Sequence, residues 1–144
     1  MKNLRNILIA IPIFLLSCSK GGDSPTPTPP TPPTPPTPTE TAVAFTVNVD
    51  PGAGNILGVV GTSQPIIVKV SSTLPSAGVT VAVTVLKDSD NSTVFNNSIS
   101  TTTADNTLTI TGLTPGVLCT ATVVVTSKAT ATNSKAVTFK LAAK

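Results

Sequence analysis

Several side chains that carry chemistry are missing from this sequence or rare in it. The 144 residues include no histidine, tryptophan or tyrosine, only four phenylalanines, and only 10% charged residues. Histidine is the most frequent general base in enzymes, so its absence removes the usual proton acceptor of hydrolases. Sugars usually stack on exposed aromatic rings, so the shortage of aromatics counts against a carbohydrate site. The composition predicts a protein that is not an enzyme and that carries no cofactor.

The start of the chain has the pattern of a secretory leader. Lys2 and Arg5 are followed by an apolar run at residues 7–16, interrupted only by Pro12. A transmembrane helix needs about 20 apolar residues, so a run of this length does not span a bilayer. It has the length of the hydrophobic region of a signal peptide. We therefore predict a signal peptide at residues 1–17.

A short motif ends this leader. Residues 15–18 are Leu-Leu-Ser-Cys, which resembles the lipobox of bacterial lipoproteins. The resemblance implies that Cys18 becomes the first residue of the mature protein and carries lipid, such as palmitate, on its sulfur. The alternative is a plain secretory signal with a chance cysteine.

The sequence Ser-Lys-Gly-Gly-Asp that follows resembles the charged tether of surface lipoproteins in the Bacteroidetes. This resemblance implies a location at the outer membrane and exposure at the cell surface.

The segment after the tether is built from two residue types. Residues 25–38 are nine prolines and five threonines. Proline prevents helix and sheet ladders and favours polyproline II, which rises about 3.1 Å per residue, so these residues make a semi-rigid spacer on the order of 40 Å long. A proline-rich ligand for an aromatic groove is the alternative, and O-glycosylation of the Thr-Pro tract stays open. We predict a lipidated cysteine and spacer at residues 18–40 and one domain at residues 41–144.

Removal of the leader changes the charge balance. The whole chain has nine basic and six acidic residues, and the leader takes Lys2 and Arg5 with it. The mature chain then carries seven basic and six acidic residues, a net charge of +1. Such a balance gives no reason to expect a nucleic-acid partner.

The rest of the chain alternates between apolar residues and small or polar ones. This two-residue period predicts β-strands, and it occurs at residues 43–49, 66–70, 79–85, 108–110, 119–125 and 137–141, with weaker candidates at 94–99 and, as an edge, at 56–60. Gly, Pro, Asp and Asn between these runs predict turns at residues 50–52, 76–78, 88–91, 104–106 and 114–116. Six or seven antiparallel strands, each with one apolar face, predict an all-β, immunoglobulin-like sandwich.

One stretch makes the fold prediction more specific. The sequence LTITGLTPGVLCTATVVV, residues 108–125, resembles the end of a fibronectin type III domain, with Leu113, Pro115 and Gly116 matching its Leu-x-Pro-Gly turn. Cys119 stands at the place of the core tyrosine of that family, and no tryptophan occupies the core. The resemblance implies a fibronectin type III-like or immunoglobulin-like antiparallel sandwich of about seven strands.

A few side chains of the predicted domain could react or bind a metal. Cys119 lies on the inward face of a predicted strand, which indicates a buried, unreactive thiol. Asp88, Asp90 and Asn91 could offer calcium oxygen ligands, but the spacing lacks the glycine and distant glutamate of an EF-hand, and a plain turn is the stronger prediction. We therefore expect no metal site. The acids of the domain all fall in predicted turns: Asp50, Asp88, Asp90 and Asp105.

Outward threonines form the last candidate surface. They could bind ice, a polymer or a partner, although threonine is also a common soluble residue on exposed strands. The two candidate arrays are Thr107, Thr109 and Thr111, and Thr120, Thr122 and Thr126.

The sequence as a whole predicts a membrane-anchored lipoprotein that displays a β-sandwich for adhesion or structural interaction with an unknown protein or polysaccharide. The alternatives are an accessory ligand- or glycan-capture lipoprotein of an outer-membrane uptake system, and a truncated remnant without a binding role.

Overall fold

The computed structural model describes residues 39–144, so the predicted signal peptide, Cys18 and the Pro/Thr tract lie outside the described residues. Every regular element in this range is a β-strand, and the eight strands are numbered in chain order. They are β1 Phe45–Val47, β2 Ile56–Val59, β3 Gln64–Val70, β4 Val79–Lys87, β5 Thr93–Thr101, β6 Asp105–Ile110, β7 Leu118–Ser127 and β8 Ser134–Ala143.

The strands form two sheets that pack as an immunoglobulin-like β-sandwich. One sheet has three strands in the order β1-β3-β6, and the other has five in the order β2-β8-β7-β4-β5. The three-stranded sheet and the β8-β7-β4-β5 part of the larger one are antiparallel, as expected. The all-β sandwich predicted from the alternation is therefore confirmed.

The core follows directly from the alternating pattern. In β4, the residues Val79, Val81, Val83 and Val85 are fully buried, while the residues between them are half-buried on the outer face. β7, which lies beside β4, alternates in the same way along its ten residues. Successive strand residues point to opposite faces, so β-branched residues at every second position line the space between the two sheets. The predicted inward faces of the six main runs are confirmed, with Val49 and Val137 only partly buried.

The two weaker strand predictions are also confirmed, with one difference in direction. β5 covers the candidate at residues 94–99 and forms one edge of the larger sheet. β2 forms the other edge, but it pairs parallel to β8, with Leu57 opposite Leu141. The parallel direction arises because the chain leaves β1 in the smaller sheet and crosses to the larger sheet before it turns back as β3. Eight strands result where about seven were expected.

One predicted turn is placed wrongly. We expected residues 104–106 to form a turn, but Asp105 begins β6 and Asn106 is a buried strand residue. The turn lies two residues earlier, at residues 102–104, and the Asn106 side chain supports it by donating to the carbonyl oxygens of Thr103 at 3.0 Å and Ala104 at 3.2 Å. The polarity of Asn106 favours a turn position, but the residue is buried and its side chain donates hydrogen bonds to the turn carbonyls from inside the fold.

Candidate interaction surfaces

Asp88 lies in the turn between β4 and β5 and is held by two partners. Its carboxylate accepts a hydrogen bond from Thr120 Oγ1 at 2.6 Å and forms an ion pair with Lys140. The Asp88 side chain is 23% exposed and that of Lys140 is 49% exposed. The hydrogen bonds from Lys140 and Thr120 lower the pKa of the Asp88 carboxyl. Asp88 thus joins the turn to the outer face of β7 and β8.

The remaining candidate calcium ligands serve the turn itself. Asp90 Oδ1 accepts the backbone amide of Ser92 at 2.9 Å, and Asn91 adopts the left-handed conformation with φ 57°. Asparagine and aspartate tolerate these roles better than other side chains, which explains their place in the turn. Within residues 39–144, no three acidic, histidine or cysteine side chains come together as a potential metal site. The contacts therefore support the plain turn.

The other two acids lie outside this turn. Asp50 Oδ1 accepts the amide of Gly52 at 2.9 Å in the loop between β1 and β2. Asp105 is exposed at the first position of β6, where its neighbours are turn threonines. The structure therefore does not bring the four acids to one place.

Cys119 is buried on the inward face of β7, with 1% of its surface exposed. Its Sγ lies 3.9 Å from the carbonyl oxygen of Val117, a distance at which the thiol is at most a weak donor. Burial, and next the negative charge of Asp88, raise the pKa of the Cys119 thiol. A higher pKa leaves less of the reactive thiolate at neutral pH. The inward placement predicted for this residue is confirmed.

The two threonine arrays differ in exposure. Thr107 and Thr109 on β6 are exposed, as is Thr111 just beyond the strand. The threonines of β7 are half-buried in the middle of the larger sheet, and two of their hydroxyls have partners: Thr120 binds Asp88, and Thr126 lies 2.8 Å from the Ser134 hydroxyl. Only part of the second array is therefore free to meet a ligand.

A polar network that the sequence did not suggest ties the start of the described chain to the turn between β7 and β8. The Glu40 carboxylate accepts from the Ser127 hydroxyl at 2.6 Å and from Asn133 Nδ2 at 3.1 Å. Asn133 Oδ1 in turn accepts the Val43 amide at 2.8 Å. The bond from Ser127, followed by that from Asn133, lowers the pKa of the Glu40 carboxyl. These partners lie about 90 positions apart in sequence, and no local motif marks them.

The outer side of β5 is the longest unpaired edge in the described part of the chain. Its nine residues, Thr93–Thr101, include no charged residue and no proline. Lysine, proline and bulges are the usual devices that keep a strand edge from pairing with another chain. The pairing of β5 with β4 has one irregularity, a register shift between Val85 and Leu86 that leaves Val94 as an extra residue near the start of β5. Phe95 and Ile99 on the core side are half-buried and pack against the core, whereas Asn97 between them is exposed.

The direction of the β5 backbone groups follows from the hydrogen bonds near it. The Lys87 amide binds the Ser92 carbonyl across the β4–β5 turn, so alternate β4 residues from Lys87 back to Val79 face β5. The pairing shifts by one residue between Val85 and Leu86, so the partners of Val79, Val81, Val83 and Val85 on β5 are odd-numbered residues, including Asn97 opposite Val83. The amides of Asn96 and Ser98 therefore point away from the sheet. The Ser98 amide is bound by the Oδ1 of Asn97 at 2.8 Å, which agrees with this direction.

Two shallow clefts lie elsewhere on the surface. One of about 210 Å³ is formed by the loop at Gly52–Asn55 against Thr120, Thr138 and Lys140. The other, of about 300 Å³, lies beside Ser100, Thr102 and Lys128. Each contains a single lysine and no acidic side chain in its lining, and the lysine of the first cleft is the one paired with Asp88. Neither cleft has the converging polar groups of a small-molecule site.

No protein-family model matches this chain, and no curated protein matches it either. Within residues 39–144, the structure has no helix of the length and hydrophobicity needed to cross a bilayer.

Proposed function

We propose that this protein is a lipid-anchored surface lipoprotein whose β-sandwich is a display module for adhesion or structural interaction. Cys18 carries the lipid anchor at the outer membrane, and residues 25–38 hold the sandwich away from it. The observation that carries the proposal is the open, uncharged edge of β5, because an unpaired strand of this kind is a ready surface for another chain. The lipobox-like motif at residues 15–18 supports the proposed membrane anchor.

The placement of the aromatic side chains supports an interaction module over glycan capture. The described residues contain three phenylalanines. Phe45 and Phe139 are buried in the core, and Phe95 is half-buried against it. A sugar ring would find no broad aromatic face among residues 39–144.

The test is a Cys18→Ala substitution in the full-length chain. Cells fed with labelled palmitate should label the parent protein and not the variant, because the substitution removes the sulfur that carries the acyl chains. The parent should fractionate with membranes, and the variant should lose this association. Cys119→Ala is the matched control, since it removes the other cysteine and should leave the label unchanged. Equal labelling of Cys18→Ala and parent would refute the anchor.

A further inference from the structure

The sequence of β5 is close to symmetric about its centre. Thr93–Thr101 reads Thr-Val-Phe-Asn-Asn-Ser-Ile-Ser-Thr. In an antiparallel pair of two such strands centred on Asn97, Phe95 of one copy lies opposite Ile99 of the other, and Asn96 lies opposite Ser98. Pairs between an aromatic and a β-branched side chain are among those that stabilise antiparallel sheets. Phe95 and Ile99 are also the half-buried residues on the core side of this strand.

We propose that the free edge of β5 pairs with β5 of a second copy of this chain, as a two-fold antiparallel pair centred on Asn97. The proposal rests on the proposed function as an interaction module and names its partner. Because β5 carries no charge, bringing two copies together places no like charges opposite each other. The two copies would extend the five-stranded sheet into a continuous sheet of ten strands.

The backbone of β5 is directed correctly for this pairing. Asn96 and Ser98 turn their amides and carbonyls to the free side, so each can exchange two hydrogen bonds with its opposite residue in the second copy. Asn97 then forms the central pair without backbone hydrogen bonds. In the single copy, Asn97 Oδ1 satisfies the Ser98 amide at 2.8 Å. That side chain must release the amide when the strands pair, so Asn97 protects the edge until a second β5 arrives.

Contacts at the start of β5 limit the length of the pair. Any side chain at Gly112 would approach the Val94 carbonyl oxygen to 3.4 Å, so the loop after β6 lies close against this end of the strand. Phe95–Ile99 remains available, which is five residues. Such a pair is small and is expected to be weak between free molecules. An anchor on a common membrane raises the local concentration of the copies and favours the pair.

A cysteine at the two-fold axis tests the pairing in the full-length chain in its membrane. Asn97→Cys should give a disulfide-linked dimer under mild oxidation, because opposite residues without backbone hydrogen bonds have Cα atoms about 4.5 Å apart, within the range of disulfides. Asn96→Cys is the matched control. Its own copies would lie about 9 Å apart in this register, too far to bridge. The parent chain, oxidised in parallel, accounts for Cys18 and Cys119.

A dimer formed by Asn97→Cys and not by Asn96→Cys supports the proposal. No dimer at position 97, equal yields at both positions, or a cross-link to a different protein would each overturn it. Ser98→Pro in the Asn97→Cys chain provides a second check. It removes an amide that faces away from β4, so the sheet should keep its ladder while the second copy loses a hydrogen bond and the dimer yield falls. Persistence of the dimer in this double variant would also refute the pairing.

Failure of the pairing and failure of the anchor give different results. Membrane fractionation reports on Cys18, and the position-specific dimer reports on β5. A chain that is released from the membrane can still be oxidised at high concentration, where an intact β5 pair gives the Asn97→Cys dimer. A membrane-bound chain that gives no dimer refutes the pairing alone.

Discussion

Cys119 shows how far a single residue is determined by the strand around it. It lies at 1% exposure on a face shared with Ala121, Val123 and Val125. Cysteine behaves as a small apolar residue in such surroundings. The sandwich therefore fills this inward position with a side chain that needs no hydrogen-bond partner.

We predict that the Cys119 thiol is chemically quiet in the native domain. In residues 39–144, which contain only this cysteine, a thiol reagent should label slowly in buffer and rapidly in denaturant. Cys119→Ser should lower the free energy of unfolding by about 1–3 kcal/mol, since it buries a hydroxyl without an assured partner. Cys119→Ala should cost less. Rapid labelling of the native domain would show that the inward face of β7 is assigned incorrectly.

Asp88 should make the stability of the domain depend on pH. Its pKa is lower in the folded state than in the unfolded state, because Lys140 and then Thr120 bind the charged carboxylate. The stabilisation is complete above the ordinary aspartate pKa, about 3.9, and is lost as the pH falls through the lower pKa of the folded state.

The substitution Asp88→Asn should therefore lower the denaturant midpoint at pH 6, and the difference from the parent should shrink as the pH is reduced toward 2.5. Both partners are partly exposed, so high salt should also reduce the difference. Denaturant titrations of both chains over this pH range provide the measurement. A gap between the two midpoints that stays constant with pH would contradict the role given to the carboxylate.

At the scale of the elements, two glycines separate backbone strain from crowding. Gly78 precedes β4 with φ 79°, and a methyl group there would overlap the carbonyl oxygen of Thr101. Gly54 has nearly the same conformation, φ 80°, but nothing lies within 4 Å of the equivalent position. The two sites therefore share the left-handed backbone and differ in the space around it.

We predict that Gly54→Ala lowers the free energy of unfolding by about 1–2 kcal/mol, the cost of the left-handed conformation for a residue with a Cβ. Gly78→Ala should lower it by about 2–5 kcal/mol, since overpacking adds to the strain. Chemical unfolding of the two variants beside the parent measures both. Equal costs would show that the chain around Thr101 moves aside freely.

The strands could be predicted from sequence because each buries one face, so apolar residues recur at every second position along the strand. Val79 to Val85 is the clearest example. Features that depend on distant partners could not be predicted in this way. Nothing near Leu57 signals that β2 lies parallel to β8, and Glu40 meets Ser127 and Asn133 at separations of 87 and 93 residues. The polarity of Asn106 indicates a turn, although the residue is buried in β6, because its hydrogen-bond partners cannot be read from the sequence.

At the scale of the whole molecule, the proposed function assigns one task to each part of the chain. In this proposal Cys18 anchors the protein in the membrane, residues 25–38 separate the sandwich from the membrane, and the sandwich presents the free edge of β5. The network from Glu40 to Asn133 fixes the first described residues to the turn between β7 and β8. The chain therefore enters the domain at a defined place.

The most direct test of display at the surface is labelling of intact cells with a membrane-impermeant, amine-reactive biotin reagent. Lys128 and Lys135 are exposed on the sandwich and offer sites for the reagent. We predict that the full-length protein is labelled as strongly in intact cells as after lysis, while a periplasmic control protein is labelled only after lysis. Labelling of this protein only after lysis would contradict display at the cell surface.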